Sequence, residues 1–399
     1  GTWIAAGAGQ YVSKGESLPN SAGTSGYFVG YTLGKSLNKL ETSVADLRLQ
    51  FGVDGSRGDW REKLSDKQIC AALHRVISDL DFVYQVLKLC LDRSDKIEHP
   101  FERALAFKGQ LERVFDTAQT GFSYWYETTR RFLTINITPL NVSAKFSQMM
   151  QDTGAAFVFT SATLSVDNKL DHFNASLGLK PAQRMMVDSP FDYPNQALLC
   201  LPRYLPESHA DNMPHAIVKL TLELIKSAQG RCFVLFTSYR MMHLVAEGLT
   251  TQIDYPVYMQ GQMSKRIILE KFTRHGNAVL LGTASFWEGV DVRGSTLSCV
   301  IIDKLPFAAP DDPLLQAKMQ DCQMQGKDPF AHIQLPQAVI ALKQGVGRLI
   351  RDSKDKGVLV ICDNRLVTRQ YGQVFLKSLP AMRRTRSLEV ANTFLQQIN

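Results

Sequence analysis

From residue 33 to residue 117 apolar side chains recur at three- and four-residue spacing. Leu37, Leu40, Val44 and Leu47 set the phase, and after a Gly-rich turn at 52–58 it continues through Leu73, Val76, Ile77, Leu80, Val83, Tyr84 and Leu87. That spacing lays one apolar stripe along a helix, so this stretch is predicted to be a helical block. After Gly121 the period changes. Residues 132–137 alternate as a half-buried strand does, and 156–159 form a short continuous apolar run. Similar runs at 232–236, 279–281, 299–302 and 358–362 are each followed by Thr, Gly or Asp. Amphipathic helices are predicted between them, at 215–227, 239–249, 264–274 and 336–351. Continuous apolar strands separated by helices predict an α/β fold, a parallel sheet covered on both faces, with ligands at the C-terminal strand ends. Residues 1–30 are rich in Gly and Ser with little periodicity. They are predicted to be poorly ordered, or to depend on neighbours outside the chain.

Composition narrows the class. A chain of 399 residues with 45% hydrophobic content can bury ordinary cores in two or three domains, which excludes a disordered protein. The net charge of +7 is concentrated near the C-terminus: residues 343–386 hold eleven Lys/Arg and only three acids. Such a stretch suits an anionic partner, nucleic acid or nucleotide phosphate, or else a solvated basic face. No apolar run is long enough to span a bilayer, and Gly1-Thr2-Trp3-Ile4 lacks the features of a signal peptide. A start without Met suggests a chain cut from something longer. The seven cysteines (Cys70, Cys90, Cys200, Cys232, Cys299, Cys322, Cys362) are scattered and none pairs at C-x-x-C spacing. They are expected to be reduced core thiols of a cytoplasmic protein, with no zinc or iron–sulfur site.

Three segments carry candidate chemistry. In Gln344-Gly345-Val346-Gly347-Arg348-Leu349-Ile350-Arg351, a helix starting near Pro336 would set Gln344, Arg348 and Arg351 on one face. Two glycines within two turns cost about 1 kcal/mol each relative to Ala, which suggests close backbone approach to a partner. Two arginines and a glutamine suit phosphoryl transfer, since they place fixed positive charge on γ-phosphoryl oxygens and a polar group near water. The second segment, Thr283-Ala284-Ser285-Phe286-Trp287-Glu288-Gly289-Val290-Asp291, follows an apolar strand. There Glu288 and Asp291 could orient a sugar hydroxyl or an arginine across a turn at Gly289, and Ser285 could meet phosphate. Phe286 and Trp287 would either stack on bases or pack in the core. Third, Thr160, Ser161 and Thr163, and likewise Thr237 and Ser238, put hydroxyls just past apolar strands. They could bind backbone phosphates or cap helices. Gly34-Lys35-Ser36 imitates the end of a phosphate loop, but that loop needs Gly where Val29 stands. No Asp-Glu pair follows a strand to hold Mg²⁺, and no metal ligand set is evident.

Taken in order, residues 160–164 (TSATL), 236–238 (FTS), 285–292 (SFWEGVDV) and 344–352 (QGVGRLIRD) resemble motifs III to VI of superfamily-two helicases. SPFD at 189–192, KLPF at 304–307 and DNR at 363–365 narrow the resemblance to the DinG/XPD-like group. It covers about residues 33–399 and is most specific from 157 onward. It implies a 5′→3′ DNA helicase driven by ATP with Mg²⁺, built from two RecA-like parallel sheets with helices on both faces and a helical arch. On that basis 1–130 would be an arch remnant, 131–195 the end of the first motor domain and 196–399 the second. Arg348 and Arg351 would then reach the γ-phosphate, and Gln344 would contact the hydrolysis site. Glu288, Gly289 and Asp291 would shape the nucleotide-facing turn. Thr160, Ser161 and Thr163 would couple hydrolysis to DNA grip, while Thr237, Ser238, Ser285 and Trp287 would meet single-stranded DNA. The group's phosphate loop, acidic box and iron–sulfur cysteines precede the arch, and none stands in this sequence. The resemblance therefore implies an N-terminally truncated chain without ATPase activity of its own, its parent holding an iron–sulfur cluster elsewhere. It also implies single-stranded or forked DNA and a replisome accessory protein as partners, in a bacterial cytoplasm at the nucleoid, in repair or replication. The competing expectation is a non-enzymatic nucleic-acid-binding α/β module, whose DNA affinity would ignore nucleotide.

Overall fold

The periodic stretch forms the helices Ser25–Leu49, Lys67–Lys88 and Glu98–Arg113. The second begins where the Asp66 carboxylate accepts the backbone N–H groups of Gln68 and Ile69, which would otherwise lack partners. The computed structural model describes residues 25–91, 95–161, 163, 165–166, 169–179, 183–287 and 296–398; the expectation for the first two dozen residues lies outside these. Leu47, Leu73, Val76, Leu80, Val83 and Leu111 close around Trp60, whose indole N–H donates to Val114 O at 2.9 Å. The core is finished by an antiparallel sheet of β1 (Arg57–Asp59), β2 (Phe122–Thr128) and β3 (Leu133–Pro139), in that order, with Tyr124, Tyr126 and Ile135 buried. Register from Phe122 opposite Pro139 to Thr128 opposite Leu133 ties residues 131–142 to the helical block. The first compact unit therefore runs past 130 to Val142, and it takes in residues 309–327 as well. In that later segment Asp312 caps the helix Pro313–Met324 and pairs with Arg57 at 3.1 Å.

The second unit, 143–308 with 328–399, is built on seven parallel strands. They are β4 (Ala197–Cys200), β5 (Cys232–Leu235), β6 (Val257–Met259), β7 (Val279–Gly282), β8 (Cys299–Ile302), β9 (Gly357–Ile361) and β10 (Arg383–Thr385). Their order across the sheet is β10-β4-β9-β8-β5-β7-β6. Alternation splits the buried side chains between two faces. Phe233, Leu235, Val300 and Ile302 meet Phe272, Ala338, Leu342 and Phe375 on one side. Cys232, Val234, Cys299 and Ile301 meet Ile217, Leu224, Val245 and Leu395 on the other. From β5 the chain moves towards β6 and β7, whereas from β8 it moves the opposite way to β9. The boundary between β5 and β8 is thus the topological switch point, where strand order opens a crevice at the carboxyl ends.

Two expectations fail here. Residues 156–159 form no strand, and Phe157, Val158 and Phe159 are exposed, Val158 by 86%. A strand needs neighbours for its backbone N–H and C=O groups, and the described residues supply none. The helix expected over 336–351 ends at Val346, with Gly347 as its C-cap, because Leu349 and Ile350 turn inward and are buried. Among the described residues no helix is long and apolar enough to cross a membrane.

Candidate functional site

The switch point is stitched by one carboxylate. Asp303 follows β8 and is 1% exposed; its Oδ1 accepts the backbone N–H of Lys304 at 2.7 Å and of Thr237, just past β5, at 3.0 Å. The Thr237 hydroxyl lies 3.3 Å from its Oδ2. Burial pushes the Asp303 carboxyl up to about 7, against the opposing pull of Lys304 and of these hydrogen bonds. The native state therefore keeps a proton that the unfolded chain releases near 3.8, so stability falls as pH rises from there to about 7 and then levels off. Asp303→Asn removes that loss. Its melting temperature should exceed the wild type's at about pH 8 and match it near pH 4, as scanning calorimetry would report.

Neighbouring hydroxyls are placed as follows. Ser238 accepts the Met241 N–H at 3.3 Å and caps the helix Tyr239–Thr250, so it takes the helix-capping role. After β7, the Thr283 N–H and hydroxyl both donate to Gln260 Oε1, at 2.7 and 3.0 Å. Ser285 is exposed and its carbonyl accepts Lys265 Nζ. Thr160 and Ser161 are exposed; Ser161 and Thr163 pair their hydroxyls at 3.2 Å, and Ser161 Oγ accepts the Thr163 N–H. Shortly beyond them, Ser165 accepts Lys343 Nζ at its carbonyl (2.9 Å) and its hydroxyl (3.1 Å). This joins the stretch after Thr163 to the helix Leu335–Val346 that carries Gln344, and burial lowers the Lys343 pKa.

The aromatic pair corrects an expectation. Phe286 and Trp287 are buried, Trp287 to 4% exposure, so Trp287 packs in the core and offers no face for base stacking. Its indole N–H points to Phe236 O at 3.4 Å, and its carbonyl accepts Arg348 Nε at 3.0 Å. Gly345 is explained by the same ring. A Cβ on Gly345 would lie 2.8 Å from Trp287 Cε3, while Gly347 ends the helix. Because the helix stops at Val346, Gln344, Arg348 and Arg351 do not share one helical face. Gln344 is half-buried on the last turn, Arg348 sits in the turn beyond, and the Arg351 backbone N–H binds Asp355 Oδ2 at 2.9 Å. Trp287 thereby links the arginine segment to the end of β5.

Elsewhere, Arg365 is locked on Asp363 by Nε at 3.0 Å and Nη2 at 2.7 Å, which raises the guanidinium pKa, and it lies 5.5 Å over Phe307. Gly34-Lys35-Ser36 sits inside a helix, where the Ser36 hydroxyl donates to Leu33 O. Glu288, Gly289 and Asp291 lie outside the described residues. Six cysteines are buried thiols and Cys70 is half-buried. No three His, Cys, Asp or Glu converge among the described residues as Mg²⁺ or iron–sulfur ligation would require. Sequence reasoning missed Asp303 and Gln260 as site residues. Asp303 carried a signal, its place directly after an apolar strand; Gln260 carried none.

Known proteins share parts of this sequence and fold. Residues 221–382 match the helicase C-terminal domain family. The chain is 49% identical over 363 residues to the ATP-dependent DNA helicase YoaA of Escherichia coli, covering 91% of this chain and 57% of that protein. It is 34% identical over 278 residues to the ATP-dependent helicase DinG of Mycobacterium tuberculosis, covering 68% and 41%. The chain thus spans little more than half the length of the curated relatives it matches. A solved apo XPD structure aligns with a TM-score of 0.54 at 19% identity over 90% of this chain and 69% of that one, and S. tokodaii Xpd4 with 0.52 at 15% over 89% and 70%; both speak for the fold. Residues 221–382 thus match a helicase C-terminal domain, the chain is similar in sequence to the helicases YoaA and DinG, and its fold is similar to that of XPD.

Proposed function

We propose that the chain is the C-terminal part of an ATP-dependent 5′→3′ DNA helicase of the DinG/YoaA type, moving on single-stranded or forked DNA in repair or replication. The observation that carries this is the hydrogen-bonded link Arg348–Trp287–Phe236, which runs from the arginine segment to the strand end at Thr237. Arg348 and Arg351 act on the γ-phosphate, with Gln344 at the hydrolysis site and Glu288, Gly289 and Asp291 at the nucleotide-facing turn. Thr237, Ser285 and the hydroxyls at 160, 161 and 163 grip DNA through its phosphates, with steep salt dependence. When nucleotide draws Arg348, Trp287 carries the displacement to β5.

The division into an arch remnant at 1–130, the end of the first motor domain at 131–195 and the second motor domain at 196–399 is kept with one amendment: β3 and residues 309–327 go with the arch remnant, to which their strand pairing and packing tie them. The exposed apolar run at 156–159 supports that division, as a strand whose partners lie in the part of the protein that its relatives have and this chain does not span. The phosphate loop, the Mg²⁺ ligands and an iron–sulfur cluster belong to that same part. A replisome accessory protein and a place at the bacterial nucleoid complete the proposal.

The test uses the complete protein with tailed duplexes. ATP should be hydrolysed faster with single-stranded DNA present, and duplexes with a 5′ tail should be unwound while those with a 3′ tail are not. DNA affinity indifferent to nucleotide, with no hydrolysis, would instead establish a non-enzymatic binding module.

A further inference from the structure

The hydrogen bonds around Asp303 dictate where a proton can sit on it. Oδ1 accepts two backbone N–H groups, from Lys304 and Thr237. Those groups only donate, so Oδ1 stays an acceptor whatever the charge. Oδ2 meets the Thr237 hydroxyl, which can donate or accept. With the carboxylate ionised, the Thr237 hydroxyl proton must point at Oδ2, leaving only lone pairs towards the crevice. An anionic oxygen arriving there finds no donor. With a proton on Oδ2 the bond reverses: Oδ2–H donates to Thr237 Oγ1, and the threonine proton is released to point outward. Asp303 is sealed from solvent while Thr237 is half-buried, so only the threonine is within reach of a ligand.

We propose that Asp303 is a proton-operated positioning residue: a proton on Oδ2 turns the Thr237 hydroxyl into a donor for a phosphate oxygen of single-stranded DNA, so that gripping the backbone here takes up one proton. This rests on the reading of Thr237 as a DNA contact. The groups around the carboxyl support it. Lys304, next in the chain, favours the ionised form. On the β9 side Cys362 is a buried thiol pushed well up, Asp303 being one of its causes, and the Asp363 charge is held by Arg365. On the β5 side, among the described residues, its hydrogen-bond partner is the neutral Thr237. The balance leaves the carboxyl titrating at about 7, where modest changes of charge decide its state. A phosphate on Thr237 adds like charge, which disfavours the carboxylate, so binding and protonation reinforce each other.

The test measures the affinity of the complete protein for a fluorescently labelled oligo(dT) by anisotropy, at fixed ionic strength, between about pH 6 and about pH 8.5. Wild-type affinity should fall roughly tenfold across that window beyond any contribution from histidines, the size of one hydrogen bond to a charged group. Asp303→Asn keeps an acceptor for both backbone N–H groups and a donor towards Thr237 Oγ1. Apart from the histidine contribution, it should hold the affinity that the wild type shows near pH 6 across the whole window. Thr237→Val should bind weakly and without this slope, and Thr237→Ser should restore the wild-type profile. An Asp303→Asn profile matching the wild type's would overturn the coupling while leaving Thr237 as a contact. Thr237→Val binding as tightly as wild type at every pH would overturn the contact itself, and the proposal with it.

Discussion

Alanine at Arg348 or Arg351 in the complete protein should lower DNA-stimulated ATP hydrolysis on the order of a thousandfold or more, the usual consequence of removing an arginine from a phosphoryl-transfer site. The size of the effect follows from where the charge acts. A guanidinium is always charged, and its planar fork matches phosphate oxygens, so it stabilises charge that develops only as the γ-phosphoryl group departs. Arg348 has Nε fixed on the Trp287 carbonyl at 3.0 Å, which orients the plane of the head group. Lysine supplies the charge but neither the fork nor that anchoring bond, so Arg348→Lys should recover little of the rate. Affinity for single-stranded DNA without nucleotide should change far less than kcat in all three variants. Hydrolysis near the wild-type rate would remove the assigned role from these arginines.

How far the sequence could reach depended on whether a signal was local. The central strands were legible because each is a continuous apolar run ending in a small or polar residue, and β5, β7, β8 and β9 fall where those runs stand. The edges of the sheet were not. β10 is Arg383-Arg384-Thr385, a strand with no apolar pattern, held through its pairing with β4. The run at 156–159 had the right composition but forms no ladder, since strand formation also requires a neighbour. The basic excess at 343–386 was visible as a number but not as geometry. In the structure Lys343 binds Ser165, Arg348 the Trp287 carbonyl, Arg365 Asp363, Arg384 the Leu376 carbonyl and Arg386 the Leu201 carbonyl. Much of that charge therefore organises its own surroundings. Likewise Asp303 could be seen to end a strand, but its hold on Thr237 joins residues 66 apart in sequence.

Trp287 yields the second large effect, on stability, and the sign of one companion substitution decides between packing and stacking. Truncating a buried tryptophan typically costs about 3–5 kcal/mol, so Trp287→Ala should lower the unfolding midpoint steeply in urea. Gly345 is the sharper probe. In a solvent-exposed helix interior, Gly→Ala stabilises by roughly 1 kcal/mol through backbone entropy alone. Here the new methyl would stand 2.8 Å from Trp287 Cε3, 3.0 Å from Cζ3 and 3.3 Å from Leu235 Cδ1, in a core with no room to give. Gly345→Ala should therefore destabilise by about 1–3 kcal/mol. Trp287→Leu has no atoms at Cε3 or Cζ3, so the same methyl added in that background keeps only the 3.3 Å approach to Leu235 Cδ1 and should cost little or help. The two changes should thus couple by about 1–2 kcal/mol in a double-mutant cycle. A Trp287 side chain swung out to stack on bases would leave Gly345→Ala stabilising in both backgrounds, with no coupling. The same displacement of Trp287 pulls the Arg348 anchor away, so Gly345→Ala should also lower hydrolysis more than its loss of stability explains, at temperatures where the protein is still fully folded.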